Sequence, residues 1–274
     1  MPKITLCAFS DESSPVFEEQ IAALLRNNVP YMEMRNVDGK NVKKLTLDEA
    51  KEYKKRLDDK GLAVWSIGSP IGKSEIADDF QIVEDTLKHV CELALTLGTD
   101  KIRMFSFHHA SEAREEVISR LCRMVEIAKD YGVGLYHENE KGIYGDIAPR
   151  CRELLDLFPA LDNIFDPANF IQAGQDTLEG WKLLCDRTKY LHIKDALADG
   201  RVVPAGKGIG NVKAILTDFM ARGGSAVTIE PHLTVFAGLK DLERAGEETK
   251  IDEFSYESSD AAFDVACNAL RACL

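Results

Sequence analysis

Short β-like runs and longer amphipathic runs alternate eight times along this chain, and that alternation restricts the available folds more than any other feature. Lys3–Phe9 precedes Val16–Asn28, Pro30–Arg35 precedes Thr46–Lys60, Ala63–Ile67 precedes Asp78–Leu97, and Lys101–Phe107 precedes Glu112–Tyr131. Val133–Glu138 precedes Ile147–Phe158, Asn163–Asp166 precedes Thr177–Arg187, Tyr190–Lys194 precedes Val212–Ala221, and Ala226–Glu230 precedes Asp260–Cys273. The helical readings rest on apolar spacing of three and four, as in Val83, Leu87, Val90, Leu93, Ala94 and Leu97. Turn signals fall at Lys60-Gly61, Gly98, Gly132 and Gly223-Gly224. No linker or low-complexity stretch divides the 274 residues. The pattern predicts an α/β fold, a (β/α)8 TIM barrel forming a single domain over residues 1–274. The rival, an open doubly wound sheet, usually has fewer strands and often opens with a glycine-rich turn. Here strand one runs into Phe9-Ser10-Asp11-Glu12-Ser13-Ser14-Pro15, without glycine.

In a barrel of this kind chemistry belongs at the carboxyl ends of the strands, so strand parity decides which side chains matter. Val133 and Leu135 suit the helix side, which turns Gly134, Tyr136 and Glu138 toward the axis and leaves Glu140 in the following loop. Phe165 faces out and Ile164 and Asp166 face in. Leu191 and Ile193 face out, while Tyr190, His192 and Lys194 face in. Val227 and Ile229 face out, while Ala226, Thr228 and Glu230 face in. Four successive strands thereby aim Glu138, Asp166, His192 and Glu230 at one axis. Three carboxylates packed together repel unless protons or a cation intervene, and one divalent metal is the economical answer. Oxygen-rich coordination with one nitrogen suits Mn²⁺, with Mg²⁺, Co²⁺ and Zn²⁺ as the other candidates. The plain alternative is that such residues at strand ends are loop residues or helix caps; Asp166-Pro167 could simply start a turn. The phase agreement across four strands favours the metal site.

Composition narrows the function classes. Net charge is −12, which argues against a partner that presents phosphate backbones. The seven cysteines are scattered, odd in number and without Cys-x-x-Cys spacing, so they read as small buried hydrophobes in a reducing compartment. The first residues, Met-Pro-Lys-Ile-Thr, lack a basic region followed by an apolar one, and no apolar run approaches the roughly 20 residues that cross a bilayer. The expectation is a cytoplasmic protein with no membrane partner.

At its strand ends the sequence resembles the sugar isomerase/epimerase group of xylose-isomerase-like TIM barrels. The segments that carry the likeness are Leu135–Asn139 (LYHEN), Phe165–Asn169 (FDPAN), Leu191–Asp195 (LHIKD), Pro204–Gly210 (PAGKGIG) and Thr228–His232 (TIEPH). With the eightfold alternation the likeness spans essentially the whole chain. It implies that Glu138, Asp166, His192 and Glu230 are metal ligands, and that Glu138 and Glu230 form the proton-transfer pair of a keto-sugar epimerase. The implied reaction removes a proton beside a carbonyl to give an enediolate. Return of the proton to the opposite face inverts the centre; return to the adjacent carbon moves the carbonyl. The sequence also departs from relatives. Asn169 stands where DNA-repair endonucleases of this barrel, and several epimerases, carry histidine, and strands two and three end in Arg35 and Gly68-Ser69. A three-metal cluster is therefore not expected. Lys207 stands where the family often has glutamate, which leaves the role of its segment open.

Arg35, Arg103 and Lys194 should point inward and are the candidate substrate-binding residues; the alternative for each is a structural ion pair, in the case of Lys194 to Asp195 or Glu230. Glu33 should also point inward. Gly68–Ser74 imitates a phosphate loop with wrong spacing and reads as a loop over the mouth. Trp65, Phe105 and Phe107 offer a sugar-stacking surface or plain core. His108-His109 reads as a solvated loop, His137 as a satisfied structural histidine, and Lys141 with Tyr144 as a lid or a surface loop. The expected function is a metal-dependent isomerase or epimerase of a keto-sugar or related polyol derivative. An inosose-type dehydratase is the alternative; an inactive sugar-binding barrel and a DNA-repair endonuclease stand further off. Barrels of this kind often form homo-oligomers, and no residue here fixes the number of subunits.

Overall fold

In the computed structural model, which describes residues 4–235 and 256–274, the eight strands close into a parallel barrel. They are β1 (Thr5–Ala8), β2 (Tyr31–Met34), β3 (Ala63–Ile67), β4 (Lys101–Met104), β5 (Gly134–Glu138), β6 (Leu161–Phe165), β7 (Thr188–Ile193) and β8 (Ala226–Ile229). Each pairs with its neighbours in the chain, and β8 pairs back onto β1 through Thr5–Ala226 and Ala8–Ile229. The helices outside are α1 (Phe17–Arg26), α2 (Leu47–Asp58), α3 (Phe80–Leu97), α4 (Arg114–Tyr131), α5 (Ala148–Leu157), α6 (Pro167–Gln172), α7 (Thr177–Leu184), α8 (Val212–Ala221) and α9 (Ser259–Cys273). Local chemistry sets their ends. Thr46 and Glu49 form a reciprocal capping box at the start of α2. Gly98 and Gly132 close α3 and α4 at φ 83° and 72°, a backbone region that suits glycine.

Strand parity agrees with the expectation. Leu135, Phe165, Leu191, Ile193, Val227 and Ile229 belong to the large apolar layer beneath the helices. Ile164, Tyr190 and Ala226 form a separate inner cluster, with Trp65 and Tyr136 packed against it. Five strands are shorter than the sequence suggests, β4 stopping at Met104 rather than Phe107, while β3 agrees and β6 and β7 begin two residues earlier than expected. The sequence reading lacked the short helix α6 and two small ribbons, Asn36–Val37 with Lys40–Asn41 and Asp195–Ala196 with Val202–Val203. Lys3 lies outside the described residues. Among the described residues no helix is long and apolar enough to cross a membrane.

The segment that imitates a phosphate loop is stitched onto the continuation of β4. Phe105 N donates to Ile71 O (2.8 Å), Phe107 N to Gly72 O (2.8 Å) and His108 N to Ser74 O (3.0 Å). Gly72 sits at φ +81°, and a Cβ there would fall 2.1 Å from Phe105 O. On the outer face of β5, His137 is fully buried; its Nε2 lies 3.0 Å from Ser106 Oγ, which also accepts from Gly145 N (2.8 Å). The histidine faces the helix layer, as expected, but it is only half satisfied, because Nδ1 finds no partner. Burial pushes its pKa down to about 3.

Two outcomes follow from these contacts. Gly72→Ala should lower stability by about 2 kcal/mol or more, from left-handed strain plus the carbonyl clash, read as a lower urea midpoint; an unchanged midpoint would mean that the segment has another backbone path. His137 is neutral when folded and takes up a proton on unfolding, so its contribution is fully present above pH ~6.5 and lost as pH falls toward about 3. By pH 5 the loss reaches about 2 kcal/mol. In His137→Gln, stability should therefore fall less between pH 6.5 and 5 than in the parent; identical acid limbs would refute this.

Candidate active site

Glu138 ends β5, Asp166 follows β6, and His192 lies near the end of β7, with Glu230 just beyond β8. One ligand atom from each lies within 4.8 Å of all the others, and all four residues are buried. His192 Nδ1 stands between the two glutamates, 2.9 Å from Glu138 Oε1 and 3.3 Å from Glu230 Oε2. Asp166 divides its oxygens. Oδ1 caps α6 by accepting from Asn169 N (3.0 Å), so the turn reading was correct for that oxygen. Asp166 Oδ2 and Glu230 Oε2 are buried without a hydrogen-bond partner. The Lys194 ammonium lies 3.0 Å and 3.2 Å from them, close enough for charge attraction but outside hydrogen-bond geometry. Two orphaned carboxylate oxygens beside a third carboxylate and an imidazole are a donor set that fits a divalent cation.

The surrounding residues fix these donors. Glu33, buried inside the barrel, faces His192 Nε2 at 3.1 Å and accepts from Thr228 Oγ1 (2.7 Å) and Tyr190 Oη (3.2 Å). With Glu33 on one ring nitrogen, the other is aimed at the cluster, an arrangement common to metal-ligating histidines. Arg103 donates to Glu138 Oε2 (3.1 Å) and to Gly68 O (3.1 Å). Arg35 binds Asp11 (2.8 Å) and Glu12 (2.9 Å) and lies 3.6 Å from Glu230. Both guanidiniums pack on the ring of Phe9. Asn139 exchanges two hydrogen bonds of 2.9 Å with the backbone of Asp166, and Asn169 donates to Asn139 O (2.9 Å) and Glu138 Oε1 (3.3 Å).

The electrostatics follow from dry burial. Desolvation pushes the Asp166 carboxyl up to about 7, with Glu230 and Glu138 adding to it against the pull of Lys194. Glu230 is buried as deeply, yet Lys194, His232 and His192 hold it well below the usual carboxylate range. Burial disfavours a charged His192, but Glu138 and Glu33 outweigh that and raise it well above its ordinary value. Glu12, Glu230 and His232 form a second group of donors within 4.8 Å of one another. Arg35 already supplies the positive charge there, 2.9 Å from Glu12 and 3.6 Å from Glu230, so this corner does not need a second ion.

Several readings are corrected or refined. Arg35, Arg103 and Lys194 do reach the cluster, but each is already paired with carboxylates, and the partner of Lys194 is Asp166 as well as Glu230. Asp195 turns away from Lys194. Its carboxylate accepts from the backbone N–H groups of Gly206 (3.0 Å), Gly208 (3.0 Å) and Gly210 (2.8 Å), and a Cβ on Gly208 would come within 2.4 Å of Asp195 Oδ1. The glycines of Pro204–Gly210 thus cradle a side chain of the protein itself, and Lys207 is exposed. Trp65 packs against Tyr31 and Tyr190 in the barrel interior, and Phe107 packs against Phe80, so neither offers a face to a sugar here. Tyr144 is buried and donates to Glu153 (2.6 Å), which is not the behaviour of a lid. His108 is buried with Nδ1 3.3 Å from Gly142 O, while His109 is exposed beside Glu75, so the solvated-loop reading holds for His109 alone. Sequence reasoning missed Asp11, Glu12, Lys73, Asn139 and His232 as members of the site. Asn139 and His232 lie inside the strand-end motifs and Lys73 inside Gly68–Ser74, while Asp11 and Glu12 follow strand one in a segment noted only for its lack of glycine.

The closed parallel barrel has counterparts among known proteins. The chain belongs to the xylose isomerase-like TIM barrel family, whose model matches residues 21–248. Among solved structures it is similar to the probable 3-DHS dehydratase AsbF from Bacillus anthracis (17% identity, 98% of each chain, TM-score 0.74). It is similar to the IOLI protein with a binding zinc atom (16% identity, 98% of each chain, TM-score 0.74). A third is an L-ribulose 3-epimerase (18% identity, 100% of this chain and 95% of the other, TM-score 0.70). At these identities the likeness shows the fold. No curated protein matches the sequence.

Proposed function

We propose that the protein is a metal-dependent isomerase or epimerase of an uncharged keto-sugar or related polyol derivative, with Glu138 and Glu230 as its proton-transfer pair. The observation that carries this reading is the convergence of Glu138, Asp166, His192 and Glu230, all buried, within 4.8 Å. These four would hold one divalent ion; the oxygen-rich donor set suits Mn²⁺, and the zinc atom of the similar IOLI protein supports a metal-binding reading. When bound, the ion supplies Lewis-acid polarisation of the substrate carbonyl.

The protein's own groups do the remainder. Lys194 and His192 keep Glu230 ionised at neutral pH and so available to accept the proton beside the carbonyl. Arg103 holds Oε2 of Glu138, fixing that carboxylate across the imidazole from Glu230. A proton taken by one glutamate and returned by the other from the opposite face inverts the carbon; return to the neighbouring carbon moves the carbonyl. Lys194 is placed to donate to an oxygen that gains negative charge as the enediolate forms. Among the described residues of the site, Arg35, Arg103, Lys73 and Lys194 are each already matched to a carboxylate. That pairing favours an uncharged ketone over a carboxylate- or phosphate-bearing one.

A dehydratase would use the same proton abstraction and then expel a hydroxyl. The similarity to a probable 3-DHS dehydratase over 98% of both chains keeps this as the second reading.

The test is incubation of the Mn²⁺-loaded protein with a panel of ketoses and inososes in heavy water, followed by NMR. Deuterium should enter the carbon beside the carbonyl, and Glu138→Gln or Glu230→Gln should slow this by about 10²–10⁴-fold. Chelation should abolish it. Loss of water from an inosose would select the dehydratase, and no exchange with any ketone would refute both readings. In addition, Glu33→Gln should weaken Mn²⁺ binding by about 10–100-fold in calorimetry, because His192 loses its orienting carboxylate; equal affinity would assign Glu33 to packing alone.

A further inference from the structure

The most exposed charged pair of the site is the one that sequence parity did not reveal. Lys73 Nζ lies 2.8 Å from Glu140 Oε2, and their side chains are 12% and 16% exposed. The inner members are more enclosed: Glu138 1%, Glu230 3% and Lys194 5%. A molecule that approaches Glu230 and Lys194 therefore meets Lys73 and Glu140 on its way, among the described residues. Glu140 is also within electrostatic reach of both Lys194 and Glu230, so the pair borders the reacting groups rather than a remote surface.

Both backbones are fixed while both side chains keep unused bonding capacity. Lys73 N donates to Pro70 O (2.9 Å), and its neighbours Gly72 and Ser74 accept from Phe107 N and His108 N. Its ammonium rests 4.6 Å over the ring of Phe105. Glu140 follows Asn139, which is bonded to the Asp166 backbone. Their mutual bond engages one carboxylate oxygen and one of the three ammonium donors. What remains is a donor beside an acceptor, 2.8 Å apart, matching two neighbouring hydroxyls of a polyol.

We propose that Lys73 and Glu140 read a vicinal diol on the part of the substrate remote from the carbonyl, and so set the preference for a long polyol chain. Lys73 donates to one hydroxyl and Glu140 accepts from the next, while Glu138 and Glu230 act on the reacting carbons. This rests on the proton-transfer reading above.

The experiment compares deuterium exchange by the Mn²⁺-loaded protein on the best ketohexose of the panel and on dihydroxyacetone, which lacks the remote diol. Lys73→Met and Glu140→Gln should each raise KM for the ketohexose about tenfold or more, leave kcat within a few-fold, and remove its advantage over dihydroxyacetone. Mn²⁺ affinity by calorimetry should stay at the parent value. The swapped double variant Lys73→Glu/Glu140→Lys rebuilds the ion pair and should fold, yet it should not recover the ketohexose preference. Recovery by the swap would make the pair a structural clasp and overturn the proposal. So would single variants that keep the preference, or that lose metal affinity together with activity. If the parent protein exchanges no ketone at all, the proton-transfer reading itself falls and takes this inference with it.

Discussion

Carboxylates gathered in a dry barrel mouth are the constraint around which the rest of the site is arranged. Glu33, Glu138, Asp166 and Glu230 lie at 0–3% exposure within a few ångströms of one imidazole. Burial disfavours a carboxylate's charged form, and repulsion among neighbouring carboxylates adds to that cost. The chain answers with an inner ring of cations: Arg103 on Glu138, Lys194 on Asp166 and Glu230, and Arg35 on Asp11 and Glu12. The assignment is asymmetric. Asp166 is left near neutrality in its titration while Glu230 is held ionised, although both are buried to the same depth. Partner geometry, more than burial, separates the two carboxylates.

This charge balance accounts for features that would look decorative in an ordinary barrel. A ring of backbone amides around Asp195 keeps that carboxylate away from Lys194, the residue just before it in the chain. Without the glycines of Pro204–Gly210 the backbone could not approach, and Asp195 would compete with Asp166 and Glu230 for the ammonium. Asn139 and Asn169 serve a similar end by other means. Their amides tie the ends of β5 and β6 together and add a neutral donor to Glu138, where a histidine could have brought another charge or another ligand.

The sequence made the inner ring legible because parity is a local property. Once Leu135, Phe165, Leu191 and Val227 are placed against the helices, Glu138, Asp166, His192 and Glu230 can only face the axis. The same reasoning put Arg35, Arg103 and Lys194 at the site but named a partner only for Lys194, Glu230, and could not name those of the two arginines. The partners of Arg35, Asp11 and Glu12, sit in a turn after β1, and the further pair Lys73–Glu140 joins two loops beyond the strands. Pairings across the mouth depend on how far each strand is sheared against the next. Register breaks at Met32/Glu33 and Asn163/Ile164 alter that shear with no mark in the residue pattern. Trp65 illustrates the same limit: its type suited a sugar platform, but its height in the barrel, level with Tyr190, put it elsewhere.

Height along the axis also orders the roles of the polar residues. Lowest is the Ser66–Tyr190–Glu33 chain, which ends on His192 and is sealed among aromatic rings. Above it stands the ring of Glu138, Asp166, His192 and Glu230, each donor held by a neighbour that is itself bonded. Uppermost are Lys73 and Glu140, rigid in backbone and incompletely engaged in side chain. The buried oxygens without a hydrogen-bond partner lie in the middle ring, on Asp166 and Glu230, while the pair above it is mutually bonded. A buried polar group left in that state calls for an ion, water or a ligand to complete it, so the open bonding capacity of the site is concentrated where the four donors converge.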